Sequence, residues 1–209
     1  MNKKITIERL SRPEIWAKAE EFRTRYVDPI DLLPIPIEDI IEFKLGITII
    51  PIEGLAEVST DIEGFLCHDL KTIYIDNARI SKEKFQNRVR FTLAHEIGHY
   101  VLHPEQIKKL TFRSIDQWLE FILHHNDDPD LGLFEWQATE FAGRLLVPRE
   151  QLINAIAHQQ DNIDFVRKSY PNITDDEIID GVSNVICKSF GVSRQVIKKR
   201  VDSEEIEIT

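Results

Sequence analysis

The chain has 209 residues and a net charge of −10, with 42% hydrophobic and 30% charged residues. This balance is typical of a globular protein and excludes a chain that is disordered throughout, because the apolar residues suffice for a core. Apolar stretches reach about six residues, whereas a membrane-spanning helix needs roughly 20, so we expect no membrane span. The acidic charge also disfavours nonspecific binding to nucleic acid or to anionic membranes.

The two cysteines, Cys67 and Cys187, lie far apart in the sequence. The basic start of the chain is not followed by the apolar stretch of a secretory signal. We therefore expect a cytoplasmic protein in which both thiols are reduced, rather than a disulfide or a zinc site built on cysteine.

The first third of the chain is predicted to combine helices with a small sheet. Ser11 and Glu14 form a capping-box pattern at the start of a helix that ends at Asp28–Pro29. Apolar runs then predict strands at 47–52, 62–67 and 72–75. Residues 68–71 join the last two strands as a hairpin, and Pro51 favours an edge position for the first strand.

From Ser81 onward the sequence is predicted to be helical. The predicted helices there cover 82–102, 115–124, 134–146, 149–158, 176–190 and 194–201. The fold class is therefore α+β, with a small antiparallel sheet near the N-terminal third and a mostly helical C-terminal half. We divide the chain into a core of residues 1–148, which holds the sheet, and a helical subdomain of residues 149–209 that packs on it.

The motif that carries chemistry is H-E-x-x-H, formed by His95, Glu96 and His99. Residues i and i+4 of a helix differ by about 40° in direction, so the two imidazoles can bind one zinc ion. Glu96 lies beside them, about 100° from His95, where a carboxylate can take a proton from the attacking water. Leu93 and Ile97 belong to an apolar stripe on the opposite side. The alternative is a pair of histidines on a solvated helix face.

A catalytic zinc needs a third protein ligand and one open position. Glu135 is the best candidate, because Ala138 is small enough for its helix to approach the H-E-x-x-H helix at Gly98. Thr139, one turn after Glu135, could hydrogen-bond a ligand. Two alternatives stay open from the residues alone: Glu135 could cap the first turn of its helix, or the ligand could be Glu140, which points about 140° away.

Three ordered motifs resemble the ImmA/IrrE family of metallo-endopeptidases, over about residues 40–201. They are Phe91-Thr-Leu-Ala-His95-Glu-Ile-Gly-His99 with Leu102-His103, the pattern E-x-x-A-x-x-F-A-x-x-L-L-x-P from Glu135 to Pro148, and Ile186-Cys-Lys-Ser-Phe190-Gly-Val-Ser193. The resemblance implies a zincin-like helix with zinc ligands His95, His99 and Glu135 and with Glu96 as the catalytic base. Relatives often have Asn where Thr139 stands, and the spacer of residues 105–133 is long for the family.

The resemblance also implies a function: a zinc-dependent endopeptidase that cleaves a specific transcriptional repressor, in mobile-element induction or stress response. The expected partner is therefore a protein substrate, a small helix-turn-helix repressor. The strand at 62–67 could align an extended substrate by β-addition.

Two alternative functions remain. Residues 182–201 have a helix-turn-helix-like pattern, in which Ser193 caps a second helix with basic residues, so the chain could be a DNA-binding regulator. We expect instead that this helix pair packs on the catalytic half and that DNA binding is absent or weak. The chain could also be a partner-binding module with a structural zinc. Of the other histidines, His103 is expected to be structural, and His124-His125 to lie in a solvated loop.

Overall fold

The computed structural model of the chain describes residues 6–55, 63–111, 117, 120 and 128–208. The α+β class is confirmed, because a small sheet is combined with mostly helical structure. Gln117 and Glu120 are helical. The other residues of the predicted helix 115–124, the predicted loop at His124-His125 and the predicted strand start at Ile62 lie outside the described residues.

The N-terminal helix begins as its capping box predicts. Helix α1 is Arg12–Tyr26. The backbone N–H and the hydroxyl of Ser11 both donate to Glu14 Oε2, at 2.8 and 2.6 Å. A short helix α2, Ile37–Asp39, continues directly into a π-helical turn, Ile40–Lys44.

The sheet has three strands, β1 (Thr48–Ile52), β2 (Gly64–Leu66) and β3 (Thr72–Asp76), in the order β1-β3-β2. The predicted hairpin is confirmed, since β2 and β3 pair antiparallel, and β1 is an edge strand as Pro51 predicts. The prediction of a wholly antiparallel sheet is wrong, because β1 pairs parallel with β3. A short turn forces β2 and β3 to pair antiparallel, but it does not determine how β1 pairs. Parallel strands need a long connection, and the segment between β1 and β3, which includes β2, is long enough.

The H-E-x-x-H helix starts later than predicted. A short helix α3, Asn77–Ile80, is capped by the Asp76 carboxylate, and Ser81 ends α3 rather than capping the next helix. A 3-10 turn then leads into α4, Gln86–Leu102, whose end agrees with the prediction. Helix α5, Pro104–Lys109, follows at once.

In the described part of the C-terminal half, the regular elements are all helices. Its helices are α6 (Pro129–Leu146), α7 (Arg149–Ala157), α8 (Gln160–Ser169), α9 (Asp175–Phe190) and α10 (Arg194–Ser203). Helix α6 begins five residues before the predicted start at 134, because Asp128 caps it and Pro129 occupies its first turn. Helix α8 was not predicted, since few of its residues are apolar.

The core lies between α4, α6, α1 and the inner face of the sheet. Helix α4 packs on α6 more extensively than on any other described element, and its other side contacts β2. Leu93 and Ile97 are fully buried, as the apolar stripe predicts. A Cβ added at Gly98 would lie 2.8 Å from the Ala138 carbonyl oxygen, so the glycine permits the predicted close approach of the two helices.

The helix pair α9–α10 contacts α4 through its connecting turn. Gly191 has φ 62°, which favours glycine, and its carbonyl accepts a hydrogen bond from Arg90 Nε at 3.1 Å. Asn87 Nδ2 donates to the carbonyl of Val192, and Ser193 caps α10 as predicted. The division into residues 1–148 and 149–209 stays a prediction.

Both cysteines are free, as predicted. Among the described residues, none of the helices combines the length and the apolar character needed to cross a bilayer.

Candidate metal centre

Helices α4 and α6 bring the three predicted ligands together. His95 and His99 lie one turn apart on α4, and Glu135 lies in the second turn of α6. One ligand atom from each residue lies within 4.8 Å of the others. We call these three residues the His–Glu cluster. Because α6 starts at Pro129, Glu135 is not a first-turn capping residue.

The distances within the His–Glu cluster are those of a tetrahedral metal site. His95 Nε2 lies 3.0 Å from His99 Nε2 and 3.0 Å from Glu135 Oε2, and His99 Nε2 lies 3.6 Å from Glu135 Oε1. Ligands at zinc–nitrogen distances of 2.0–2.1 Å are roughly 3.3 Å apart in a tetrahedron. Two imidazole nitrogens and a carboxylate therefore fit a zinc ion both in chemistry and in spacing.

The electrostatics of the His–Glu cluster are tightly coupled. Loss of solvation raises the pKa of Glu135, but the charges of His99 and His95 and their hydrogen bonds outweigh it and hold that pKa well below its usual range. Burial lowers the pKa of His95, but the hydrogen bond and charge of Glu135 reverse the effect and raise it. Each carboxylate–imidazole contact thus favours a positive charge inside the cluster.

Glu96 lies beside the cluster rather than in it. Its side chain is 5% exposed, and Glu96 Oε2 accepts a hydrogen bond from the backbone N–H of Leu66 on β2 at 2.7 Å. Burial raises the pKa of the Glu96 carboxyl above its usual range, although the charges of His99 and His95 act in the opposite direction. A carboxylate with a raised pKa is a stronger proton acceptor than a solvated glutamate.

Further residues hydrogen-bond the Nδ1 atoms of the two imidazoles. Thr139 Oγ1 lies 3.3 Å from His95 Nδ1, in the position that the sequence predicts. His103 Nδ1 lies 3.1 Å from His99 Nδ1, and His103 Nε2 lies 2.9 Å from Gln137 Oε1. Burial, followed by the charge of His99, lowers the pKa of His103 to about 4. The sequence analysis did not identify Gln137 as part of the site. A polar residue among the apolar residues of α6 could have indicated a buried hydrogen-bonding role.

Glu140, the alternative ligand, faces another part of the molecule. Its carboxylate accepts a hydrogen bond from Trp16 Nε1 at 3.2 Å and lies 3.5 Å from Arg12 and 3.6 Å from Arg200. These contacts hold Glu140 against α1 and α10. It is absent from the His–Glu cluster, as its direction on the helix predicts.

The chain matches a known protein family. The family model Peptidase_M78, described as the IrrE N-terminal-like domain, matches residues 44–202. This chain belongs to that family. No curated protein and no solved structure matches the chain. Membership of Peptidase_M78 confirms the predicted resemblance and indicates a metallopeptidase, a metal cofactor and a protein substrate.

Three basic residues of the C-terminal helix pair have acidic partners within this Peptidase_M78 protein. Arg194 pairs with Asp180 at 3.1 Å, and Lys198 pairs with Asp176 at 2.7 Å. Arg200 is buried. A DNA-binding helix needs such side chains exposed and available for phosphates. The pairing therefore weighs against the DNA-binding alternative.

Proposed function

We propose that the chain is a zinc-dependent endopeptidase. His95, His99 and Glu135 bind the zinc, and Glu96 is the catalytic base. The observation that carries the proposal is the convergence of the two Nε2 atoms and the Glu135 carboxylate, with the Glu96 carboxylate beside them. Three ligands from the described part of the chain leave one coordination position open, which is typical of catalytic rather than structural zinc sites.

The side chains divide the work of peptide hydrolysis. When bound, zinc supplies Lewis-acid polarisation of the scissile carbonyl and lowers the pKa of water. Glu96 accepts the proton of the attacking water and passes it to the leaving amine. Burial raises the pKa of the Glu96 carboxyl, which makes it a stronger proton acceptor than a solvated glutamate and supports this role.

Strand β2 is the proposed guide for an extended substrate. It is an edge strand of the sheet, and it contacts the helix that carries the H-E-x-x-H motif. The hydrogen bond from Leu66 N–H holds the Glu96 carboxylate, the proposed base, next to β2. A peptide that adds to β2 would therefore lie alongside both the base and the His–Glu cluster.

The proposed substrate is a small helix-turn-helix repressor, and the proposed location is the cytoplasm. The resemblance to ImmA/IrrE proteins supports the repressor. The pairing of Arg194 and Lys198 with acidic residues supports a role for α9–α10 other than DNA binding.

The test is co-expression of the repressor with the wild-type chain or with Glu96→Gln. Wild type should cut the repressor at one or a few sites and leave casein largely intact. Glu96→Gln should keep its fold and its zinc, because Glu96 is not a ligand. Loss of general-base catalysis is worth typically 10²–10⁴-fold, so fragments should fall below detection.

Glu105→Gln is the matched control, since Glu105 is exposed and pairs only with Lys108 among its described ion-pair partners. It should cleave as wild type does. If wild type and Glu96→Gln reduce repressor activity equally and produce no fragments, the chain acts by binding, and the structural-zinc alternative is correct.

A further inference from the structure

A buried chain of hydrogen bonds connects the His–Glu cluster to the N-terminal segment. Gln137 Nε2 donates to the backbone carbonyl of Glu8 at 2.8 Å. Gln137 Oε1 lies 2.9 Å from His103 Nε2, and His103 Nδ1 lies 3.1 Å from His99 Nδ1. Gln137 is 0% exposed, His103 2% and His99 4%, so water does not compete for these contacts.

The carbonyl of Glu8 determines which group donates and which accepts in each of these hydrogen bonds. A backbone carbonyl can only accept, so the Gln137 amide must turn its NH₂ toward Glu8 and its oxygen toward His103. The oxygen accepts, so His103 must carry its proton on Nε2 and present a bare Nδ1. His99 must then donate from Nδ1, which leaves the lone pair of His99 Nε2 for the metal.

We propose that His103 and Gln137 are positioning residues that fix His99 in its metal-binding tautomer. The proposal rests on the proposed ligation of zinc by His99. It adds to the site a backbone carbonyl from residue 8, which lies outside the family match of residues 44–202. Partners of this kind orient a ligating imidazole and increase its basicity.

The two imidazoles differ in how firmly they are fixed. The partner of His95 Nδ1 is the hydroxyl of Thr139, which can donate or accept and so sets no tautomer. His99 has a partner of defined direction, and the ring of Phe134 stacks on it with centroids 4.1 Å apart. Phe134 also contacts the ring of His103 at 4.4 Å, which holds both rings in place.

The N-terminal segment is itself anchored, so the Glu8 carbonyl is a fixed reference point. Ile7 is buried in the core, and Gln106 Nε2 donates to the carbonyl of Thr6 at 3.3 Å. The Gln106 side chain therefore contacts the same segment as Gln137, but it takes no part in the described chain of hydrogen bonds that leads to His99. This makes Gln106 a matched control for Gln137.

The first experiment measures zinc affinity by competition with a chelator for the wild type, His103→Leu and His103→Asn. His103→Leu should bind zinc 10–100-fold more weakly, because His99 Nδ1–H loses its acceptor. His103→Asn should recover part of the affinity, since its amide oxygen can accept at the position of Nδ1. Equal affinity in all three proteins would overturn the proposal.

The second experiment observes the tautomer directly, in metal-free protein at about pH 8, by long-range ¹H–¹⁵N spectra of the histidine rings. Wild type and Gln106→Leu should show His99 protonated on Nδ1, and Gln137→Leu should show a mixture of tautomers. Thermal unfolding of the metal-free proteins separates this effect from stability. If Gln137→Leu is merely less stable, with the His99 spectrum unchanged, the residue is only structural.

The two experiments also separate this inference from the proposed function. A wild type that binds no zinc would refute the metal site, yet the His99 spectrum would still decide whether the chain of hydrogen bonds fixes the tautomer. A wild type that binds zinc, with variants of equal affinity, would refute only the inference.

Discussion

Helix α6 carries two clusters of charged groups on different faces. Glu135 faces α4 and belongs to the His–Glu cluster, while Arg144 faces α1 and α10 and belongs to a second group. We call that group the arginine cluster: it consists of Arg144, Arg149 and Arg200 around the carboxylate of Glu204. The two clusters share a helix but differ in how their carboxylates are neutralised.

The arginine cluster is balanced by the protein itself. The Glu204 side chain is 0% exposed and accepts from Arg144 at 2.7 Å, from Arg149 at 3.0 Å and from Arg200. Arg144 also pairs with Glu20 at 2.8 Å. Every described carboxylate here faces a guanidinium, which stays charged at all relevant pH values. The carboxylates of this cluster are therefore neutralised by groups of the protein itself.

The His–Glu cluster has no such permanent positive charge. Among the described residues, the ion-pair partners of Glu135 are the imidazoles of His95 and His99, and the two Nε2 atoms also face each other. Lone pairs at these distances repel unless a proton or a metal cation lies among them. Of the two clusters, the His–Glu cluster, which has no fixed countercharge, is thus the one that indicates a ligand.

The largest effect is expected on zinc binding. Glu135→Ala should weaken zinc binding about a hundred- to a thousandfold. A four-ligand structural site binds zinc with roughly 10–16 kcal/mol in total, and the loss of one ligand removes about a quarter of that free energy. Glu140→Ala, on the same helix, should leave zinc affinity unchanged. The measurement is competition with a chelator. Unchanged affinity in Glu135→Ala would show that the third ligand is another residue.

Substitutions in the arginine cluster should lower stability and leave metal binding unchanged. Glu204→Gln leaves three guanidinium groups without their shared carboxylate, and breaking a buried ion pair costs about 3–5 kcal/mol in the free energy of unfolding. Denaturant unfolding measures this loss, and zinc affinity of the folded protein should not change. Asp180→Asn breaks only an exposed pair and should cost less than about 1 kcal/mol. A weaker zinc site in Glu204→Gln would show that the two clusters are coupled.

Gly98→Ala should lower both the stability and the zinc affinity, because it pushes α4 away from α6. The added Cβ would lie 2.8 Å from the Ala138 carbonyl oxygen, and overpacking of this kind costs about 1–3 kcal/mol. Zinc affinity should fall as Glu135 moves away from the histidines. Gly181→Ala in α9 meets no atom within 4 Å and should stabilise the chain by about 0.5–1 kcal/mol. A Gly98→Ala protein with wild-type zinc affinity would contradict this account of the helix contact.

The smallest effect is expected for DNA binding by α9–α10. Binding to duplex DNA should be no tighter than about 10⁻⁶ M at physiological salt, and it should disappear at higher salt. Loss of the charges of Lys198 and Lys199 should change it little, because Lys198 is already paired with Asp176. Fluorescence anisotropy with a labelled duplex measures this. A tight complex that these two substitutions abolish would support the DNA-binding alternative.

Local sequence determined the elements that depend on neighbouring residues. The i, i+4 spacing of His95 and His99 fixed their common direction on α4, whatever α4 packs against. Ser11 with Glu14, and Ser193 at the start of α10, marked helix starts that the structure confirms. The hairpin of β2 and β3 followed from its short turn.

Tertiary structure alone decided those contacts between distant segments that no motif or small-residue pattern marks. The parallel pairing of β1 with β3 depends on a long connection, whose path no local pattern encodes. The chain of hydrogen bonds from Glu8 through Gln137 and His103 joins three segments that are far apart in sequence. A helical period specifies the direction of a side chain about its own axis, but only the packing of α4 on α6 specifies which groups it meets there, because those contacts depend on how two helices lie against each other in space.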